Sequence, residues 1–170
     1  MKTIIISFSL LLISCSSRLQ IFTDLDKDFA FSEVTTYSWS EIENIEENNN
    51  PLYYNELNDK RIRTEVDQQL ARKGYRSVDE KGDLLVHYHI IVRDYTAYRE
   101  DAALHHNAGW MRTDIRHYEY REGTLLIDFL DSKTSSLVWR GCASAIFNLR
   151  IPHTDEQKIR DGIRRILDDF

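Results

Sequence analysis

The sequence is poor in the residues that build common nucleotide and hydrolase sites. Its six glycines stand singly along the 170 residues, so there is no glycine-rich loop to cradle a phosphate. The motifs G-x-x-x-x-G-K-[ST], G-x-S-x-G and H-E-x-x-H do not occur. We therefore expect a non-catalytic protein that carries no cofactor.

Positive charge is also scarce. Lys and Arg number 22 against 28 Asp and Glu, which gives a net charge of −6. A protein that binds nucleic acid usually presents a basic face. The charge balance therefore argues against a nucleic-acid partner. The length and the 42% content of hydrophobic residues are those of one globular domain.

The sequence opens with a short apolar run. Lys2 is followed by Ile4–Ile13, which is interrupted only by Ser7 and Ser9. At about 1.5 Å per residue, a helix of this length is too short to cross a hydrocarbon layer about 30 Å thick. One positive charge followed by such a run is typical of a secretory signal peptide. A buried N-terminal helix or strand is the alternative, but the run is not amphipathic.

The run ends at Leu12-Ile13-Ser14-Cys15, which resembles the lipobox of bacterial lipoproteins. The resemblance implies that residues 1–14 are a cleaved signal peptide and that Cys15 is the lipid attachment site. Residues 15–19 would then be a lipidated N-terminus and short tether. Two or more acyl chains anchor a protein stably to a bilayer. We therefore expect a lipid-anchored protein of the cell envelope, and Ser16 after the cysteine favours the outer membrane, facing the periplasm.

The second cysteine agrees with this interpretation. If the Cys15 sulfur carries lipid, Cys142 has no partner for an intramolecular disulfide. A disulfide between Cys15 and Cys142 is the alternative in an exported chain. Cys142 lies in the middle of a predicted strand, where a thiol is normally inert.

Residues 20–170 predict a single α+β domain, a mostly antiparallel sheet with two amphipathic helices packed on one face. Strands are predicted near 19–24, 35–39, 75–78, 84–94, 117–130 and 137–147. Helices are predicted over 56–73, with Leu57 on its apolar stripe, and from a capping box at Thr154 to the last residue. Residues 96–116 are left as an insert between two strands.

Alternation in the long strands assigns residues to two sheet faces. The apolar face, which the helices are expected to cover, holds Leu84, Val86, Tyr88, Ile90, Val92, Leu125, Ile127, Phe129, Leu137, Trp139, Ala143, Ala145 and Phe147. The opposite face is mixed, as expected where one side of an antiparallel sheet meets water. On it, Asp128 and Arg140 are expected to form a cross-strand ion pair.

The mixed face is the candidate binding surface. It is predicted to carry His87, His89, Tyr118, Tyr120, Arg140 and Ser144. Aromatic residues and Arg are typical of recognition surfaces, so we expect an envelope protein or a small ligand as the partner. The alternative is that an oligomer partner or residues 96–116 cover this face.

Two other functions remain open. A metal-binding module would use His87 and His89, with His105, His106 or His117 nearby. A hydrolase of an envelope polymer would need two carboxylates facing each other across a cleft, and the sequence offers no convincing pair.

Several motifs along the mature chain are familiar in their order. They are Thr36-Tyr37-Ser38-Trp39, Lys73-Gly74-Tyr75, Asp83-Leu84-Leu85-Val86, Gly123-Thr124-Leu125-Leu126-Ile127-Asp128 and Trp139-Arg140-Gly141. In these the chain resembles the bacterial lipoprotein family known as domain of unknown function 4136. The resemblance implies a Gram-negative envelope lipoprotein with an antiparallel sheet and helices, and it brings no catalytic residues.

Overall fold

The longest elements of the fold are two strands of 21 residues each that pair along their whole length. The computed structural model describes residues 19–40, 53–104, 111–147 and 156–170. In chain order, the elements are β1 (Gln20–Leu25), a short 3-10 helix (Phe31–Glu33), β2 (Thr36–Trp39), α1 (Glu56–Arg72), β3 (Arg76–Ser77), β4 (Leu84–Leu104), β5 (Met111–Asp131), β6 (Leu137–Phe147) and α2 (Glu156–Asp168).

The six strands form one sheet in the order β1-β6-β5-β4-β2-β3. The pairs β1–β6, β6–β5 and β5–β4 are antiparallel. The short β2 is parallel to both of its neighbours, β4 and β3. The structure therefore confirms the predicted α+β class with a mostly antiparallel sheet.

Residues that favour the start and the end of a helix flank α1. The side chain of Asn55 accepts a hydrogen bond from the backbone N–H of Asn58 at 3.0 Å, which satisfies one of the free donors of the first turn. Glu56 and Asp59 add negative charge where the helix dipole favours it. Gly74, with φ of +93°, supplies the left-handed residue that follows many helices. The predicted bounds, 56–73, agree with the observed helix to within one residue.

Both helices bury one stripe against the sheet. The fully buried apolar residues are Ile62, Val66 and Leu70 of α1 and Ile163, Ile166 and Leu167 of α2. Leu57, predicted on the stripe of α1, is 66% exposed. Ile62 lies five positions after Leu57, and at 3.6 residues per turn this spacing rotates the Leu57 side chain away from the stripe.

An ion pair between a buried carboxylate and a partly exposed arginine joins the two helices. Glu65, only 2% exposed, accepts hydrogen bonds from Gln69 Nε2 at 2.6 Å and from Arg164 Nε at 3.0 Å. A buried carboxylate is destabilising unless such partners satisfy it. The pair therefore favours one relative position of α1 and α2.

The C-terminus completes the core. Helix α2 ends at Asp168 rather than at the last residue, and the predicted cap Thr154 lies outside the described residues. The ring of Phe170 packs on Phe129 and Trp139, with ring centres 4.4 and 5.1 Å apart. Lys73 Nζ donates to the backbone carbonyls of Asp168 and Phe170. The last residue is thus part of the packed core.

The placement of Leu137 was predicted wrongly. A register shift between Phe129 and Leu130 puts Leu137 opposite Leu130, and Leu137 is 43% exposed. Val138, predicted on the mixed face, is instead buried in the core. A bulge adds one residue to one strand and so reverses the alternation beyond it, a change that a regular pattern does not reveal.

The strand bounds at the centre of the sheet also differ from the prediction. The sequence predicts an insert over residues 96–116, but the β4–β5 ladder continues to the rung that joins Leu104 to Met111. Strand β6 ends at Phe147, opposite Arg121. Residues 95–104 and 111–120 therefore form a two-stranded ribbon, the arm, that extends beyond the neighbouring described strands. A ribbon covers no core, so its sequence lacks the alternation that marks a half-buried strand.

Gly82→Ala should destabilise the protein. A Cβ on Gly82 would lie 2.5 Å from the carbonyl carbon and 2.6 Å from the Cα of Tyr37. These are backbone atoms of β2, which cannot move without disturbing its pairing with β4. We expect the free energy of unfolding in urea to fall by about 2–3 kcal/mol, the upper part of the range for overpacking.

Gly162→Ala is the matched control. A Cβ there would lie 3.7 Å from the Cβ of Ala143, an ordinary contact. Because Ala is a better helix former than Gly, this variant should be more stable than the wild type by up to about 1 kcal/mol. Equal losses in the two variants would contradict this account of the packing.

Candidate functional site

Helices α1 and α2 share one core with one face of the sheet. The described residues place no helix on the other face, which we call the open face. The register places three rungs across it, His87-Asp128-Arg140-Asp24, His89-Leu126-Cys142-Phe22 and Ile91-Thr124-Ser144-Gln20. Tyr95 pairs with Tyr120 farther along, and Tyr118 follows on the same side. All six residues predicted for the binding surface therefore lie on one face.

These six residues do not converge on one pocket. Tyr118 is ten residues from Asp128 along β5, which is about 33 Å at the rise of a strand. We therefore distinguish two parts of the open face. The body segment consists of His87, His89, Arg140 and Ser144, and the arm segment consists of Tyr95, Tyr118 and Tyr120.

The body segment contains the predicted cross-strand ion pair. Arg140 donates from Nε and from a terminal nitrogen to the two carboxylate oxygens of Asp128, both at 2.7 Å. Asp128 is only 5% exposed, and the hydrogen bonds to it raise the pKa of Arg140. Because the Arg140 side chain is partly exposed, the pair contributes about 1 kcal/mol or less to stability. With both oxygens engaged, Asp128 is held as an ion-pair partner rather than as a free base.

His87 and His89 lie next to this pair, with ring centres 4.3 Å apart. Burial lowers the pKa of His87, and repulsion from His89 lowers it further, whereas Asp128 opposes the shift. The two histidines lie two residues apart on one strand. Together they offer at most two ligands to a metal ion.

Among the residues that the structure describes, no third ligand lies near them. Within the described ranges, no three His, Cys, Asp or Glu side chains are grouped closely enough to hold a metal ion. His117 lies opposite Tyr98, on the other side of the arm, because it is odd-numbered in β5. His105 and His106 lie outside the described residues. The geometry therefore separates His117 from the two strand histidines.

The remaining polar groups of the body segment also bond within the sheet. The hydroxyl groups of Thr124 and Ser144 lie 2.7 Å apart on neighbouring strands. Cys142 is a free thiol, and burial raises its pKa. A thiol with a raised pKa is a weak nucleophile at neutral pH. These contacts suit a rigid recognition surface better than a reacting group.

The arm segment is a row of tyrosines. The rings of Tyr95 and Tyr120 stack with centres 5.3 Å apart and planes 15° apart. Tyr118 lies opposite Ala97 and is 43% exposed. On the reverse side of the arm base, Arg121 forms an ion pair with Asp94 at 2.5 Å. On the open face, the rung of Arg93 and Glu122 lies between Ile91 and the tyrosines, so the aromatic row begins beyond a charged rung.

A second cluster was not predicted from the sequence. It lies where α1 meets the end of β2. Tyr37 Oη–H and Trp39 Nε1–H both donate to Asp67 Oδ1, at 2.7 and 2.9 Å. Tyr88 donates to Asp59 Oδ1 at 2.7 Å. Burial is the main cause that raises the pKa values of Tyr37 and Tyr88, and the carboxylates add to it. Both phenols therefore stay neutral donors.

Arg63 completes this cluster. It donates to both oxygens of Asp59 and lies over the ring of Trp39, 4.7 Å from its centre. Asp59, Arg63 and Asp67 follow one another at four-residue spacing, which places them on one side of α1. This spacing can be read from the sequence and indicates that the three charged residues share one side of the helix. The fold shows in addition that this side faces the aromatic residues. The cluster ties α1 to the sheet edge.

The fold and the open face together define a class, a two-layer α+β domain with an elongated sheet that is covered on one side. The chain belongs to the family described as domain of unknown function DUF4136, whose model matches residues 21–170. The family resemblance inferred from the sequence motifs is thereby confirmed. No curated protein matches the chain.

Solved structures resemble the fold at low sequence identity. A PDZ domain protein from Parabacteroides distasonis is 18% identical with a TM-score of 0.51, and the match covers 88% of this chain but 36% of that one. This chain thus corresponds to about a third of that protein. The PelC dodecamer from Paraburkholderia phytofirmans gives two matches, at 10% and 7% identity, each covering 88% of this chain. They cover 95% and 96% of the PelC chain, with TM-scores of 0.49.

None of the helices in the described ranges combines the length and the apolar character needed to cross a membrane.

Stability should depend on pH through His87. Its pKa in the folded protein is below the unfolded value of about 6.5, so the unfolded state takes up the proton first as the pH falls. The contribution of neutral His87 to the free energy of unfolding is therefore present above the unfolded pKa. It is lost as the pH falls below that pKa toward the lower pKa of the folded state. Between about pH 7.5 and about pH 5, the free energy of unfolding should fall more for the wild type than for His87→Gln.

The control is His117→Gln, on the other side of the arm, which should keep the wild-type pH dependence. Urea unfolding at both pH values provides the measurement. Identical pH dependence in the wild type and H87Q would show that His87 does not titrate abnormally.

Proposed function

We propose that this protein is a lipid-anchored lipoprotein of the Gram-negative cell envelope, attached through Cys15 to the outer membrane and facing the periplasm. In this proposal it acts as a non-catalytic binding module. The sequence supports the anchor, because Cys15 closes a signal-like apolar run. The first described strand begins at Gln20, only five residues later, so the domain would be held close to its anchor.

The observation that carries the binding role is the open face. The helices occupy the opposite face, and the open one carries histidine, tyrosine and arginine side chains whose positions are set by neighbouring strands. Rigid aromatic and Arg side chains lose little conformational entropy on binding and are frequent in recognition surfaces. An envelope protein or a small ligand is the expected partner of the body segment.

The polar groups support binding over catalysis. Both oxygens of Asp128 are engaged by Arg140, the thiol of Cys142 has a raised pKa, and Thr124 and Ser144 bond to each other. General acid–base catalysis needs a group that is free to exchange a proton with substrate. Each of these groups instead has a structural partner within the sheet.

Lipid attachment at Cys15 can be tested on the mature protein. Mass spectrometry should find a chain that starts at Cys15 and carries acyl chains, and one free thiol, that of Cys142, should be detected after denaturation. Cys15→Ser should yield a soluble or unprocessed protein, because the anchoring acyl chains are lost. Cys142→Ser is the control and should remain on the membrane. An unmodified mature chain that starts elsewhere would refute the anchor.

The binding role can be tested by co-purification of the tagged, lipidated protein from its own envelope. His89→Ala in the body segment should lower partner recovery, because the residue is exposed beside the Asp128–Arg140 pair. Tyr120→Ala tests the arm segment separately. Arg160→Ala is the control, since Arg160 pairs with Glu156 on the outer side of α2. Equal recovery in all three folded variants, checked by circular dichroism, would eliminate the open face as the binding site.

A further inference from the structure

His87 and His89 hold two imidazole rings side by side on the open face of β4. One residue separates them, so their side chains leave the strand on the same side. Their ring centres are 4.3 Å apart. His89 is exposed and His87 is partly exposed. In the part of the chain that the structure describes, neither ring makes a hydrogen bond or an ion pair, so both keep ring nitrogens that can bind a ligand.

The distance between the rings suits a metal ion that takes ligands at right angles. An imidazole nitrogen binds at about 2 Å from a first-row metal ion, which places the ring centre about 3.2 Å from the ion. Two rings bound at right angles then have centres about 4.5 Å apart, and two rings bound at the tetrahedral angle have centres about 5.2 Å apart. The observed 4.3 Å is closer to the right-angled arrangement, which is typical of Ni²⁺ and Cu²⁺ rather than of structural Zn²⁺.

The ring centres need not move for such an ion to bind. The centre of an imidazole lies close to the line of its Cβ–Cγ bond, so rotation about that bond turns a ring nitrogen and leaves the centre in place. This torsion of histidine has a broad range of accessible angles, so the rotation costs little free energy. The strand backbone therefore already sets the spacing that a shared ion requires.

The chain supplies two ligands here and leaves room for others. Strand β2 pairs with β4 only as far as Val86, so no described strand flanks His87 and His89 on that side. Cys142, on the same rung as His89, lies two strands away, about 10 Å at the spacing of a sheet, which is too far to share an ion. Structural metal sites use about four protein ligands. An ion held by two histidines and water is therefore exchangeable.

The charges around the two rings leave the site open to a cation. Asp128 lies opposite His87, and its negative charge is balanced by Arg140, which holds both carboxylate oxygens. Arg63 on α1 also acts on His87 and opposes a cation. Its charge is offset, because Arg63 is paired with Asp59 at 2.9 Å. The nearby positive groups are thus each matched by a carboxylate.

We propose that His87 and His89 chelate one divalent transition-metal ion that takes ligands at right angles, such as Ni²⁺ or Cu²⁺, with water in its remaining positions. Imidazole is a suitable ligand for both ions, and affinity for nitrogen ligands is highest at this end of the first-row series. The inference goes beyond the proposed function, because the ion needs neither lipid at Cys15 nor a protein partner. It adds a metal ion to the ligands of the body segment.

The test measures Ni²⁺ binding to the purified full-length protein by isothermal titration calorimetry. Ni²⁺ is the probe because the free thiol of Cys142 can reduce Cu²⁺ but not Ni²⁺. The background protein keeps His87 and His89 and carries glutamine in place of the other histidines, through His105→Gln, His106→Gln, His117→Gln and His153→Gln. It should bind one Ni²⁺ per chain. Adding His87→Gln or His89→Gln should raise the Kd at least about tenfold, because the second ligand is no longer held beside the first.

A control chain that keeps His117 as well should bind Ni²⁺ with the affinity of the background protein, since His117 lies on the other side of the arm. A folded background protein that binds no Ni²⁺, or one whose Kd is unchanged by His87→Gln and His89→Gln, overturns the proposal. If circular dichroism shows that the background protein does not fold, the same two single changes in the wild-type chain decide, and each should remove one bound Ni²⁺. The co-purification test of the body segment is made without added metal, so the two proposals can fail separately.

Discussion

The pairing of β4 with β5 is the constraint on which the rest of the structure depends. Its register decides which side of the sheet each of 42 side-chain positions occupies, 21 on each strand. A slip of β4 by one residue against β5 would move Val86 and Tyr88 to the solvent side. The helices pack only where the apolar set is continuous, so the open face exists because this ladder holds its register.

The β4–β5 ladder also divides the open face into the body segment and the arm segment. In the body segment, neighbouring strands supply partners for some of the polar groups, as in the Asp128–Arg140 and Thr124–Ser144 pairs. Beyond Arg121, β6 has ended, and of the described strands two continue. A ribbon of two strands is at best marginally stable alone in water, and its outward aromatic side chains are available to another surface.

Much of the fold could be predicted because its periodicities are strong. Leu84, Val86 and Tyr88 alternate with polar residues, and Ile62, Val66 and Leu70 repeat at helical spacing, so both faces and both helices were identified. The predictions failed where no repeating pattern exists. The bulge that exposes Leu137 depends on the pairing with β5, and the arm lacks alternation because it covers no core. The six residues of the candidate face were placed on one side correctly, but their separation of about 33 Å required the observed strand lengths.

The sequence by itself determined the class of the fold, the family and the expected lipid attachment at Cys15, because each rests on local order along the chain. Alternation, helical spacing and a cysteine that ends an apolar run are all properties of neighbouring residues. The tertiary structure alone decided that His117 and His87 lie on opposite sides of the sheet, that Asp67 meets Tyr37 and Trp39, and that Gln20, Ser144, Thr124 and Ile91 share one rung. These relations join residues far apart in sequence, and strand register and helix packing, which no local pattern encodes, bring them together.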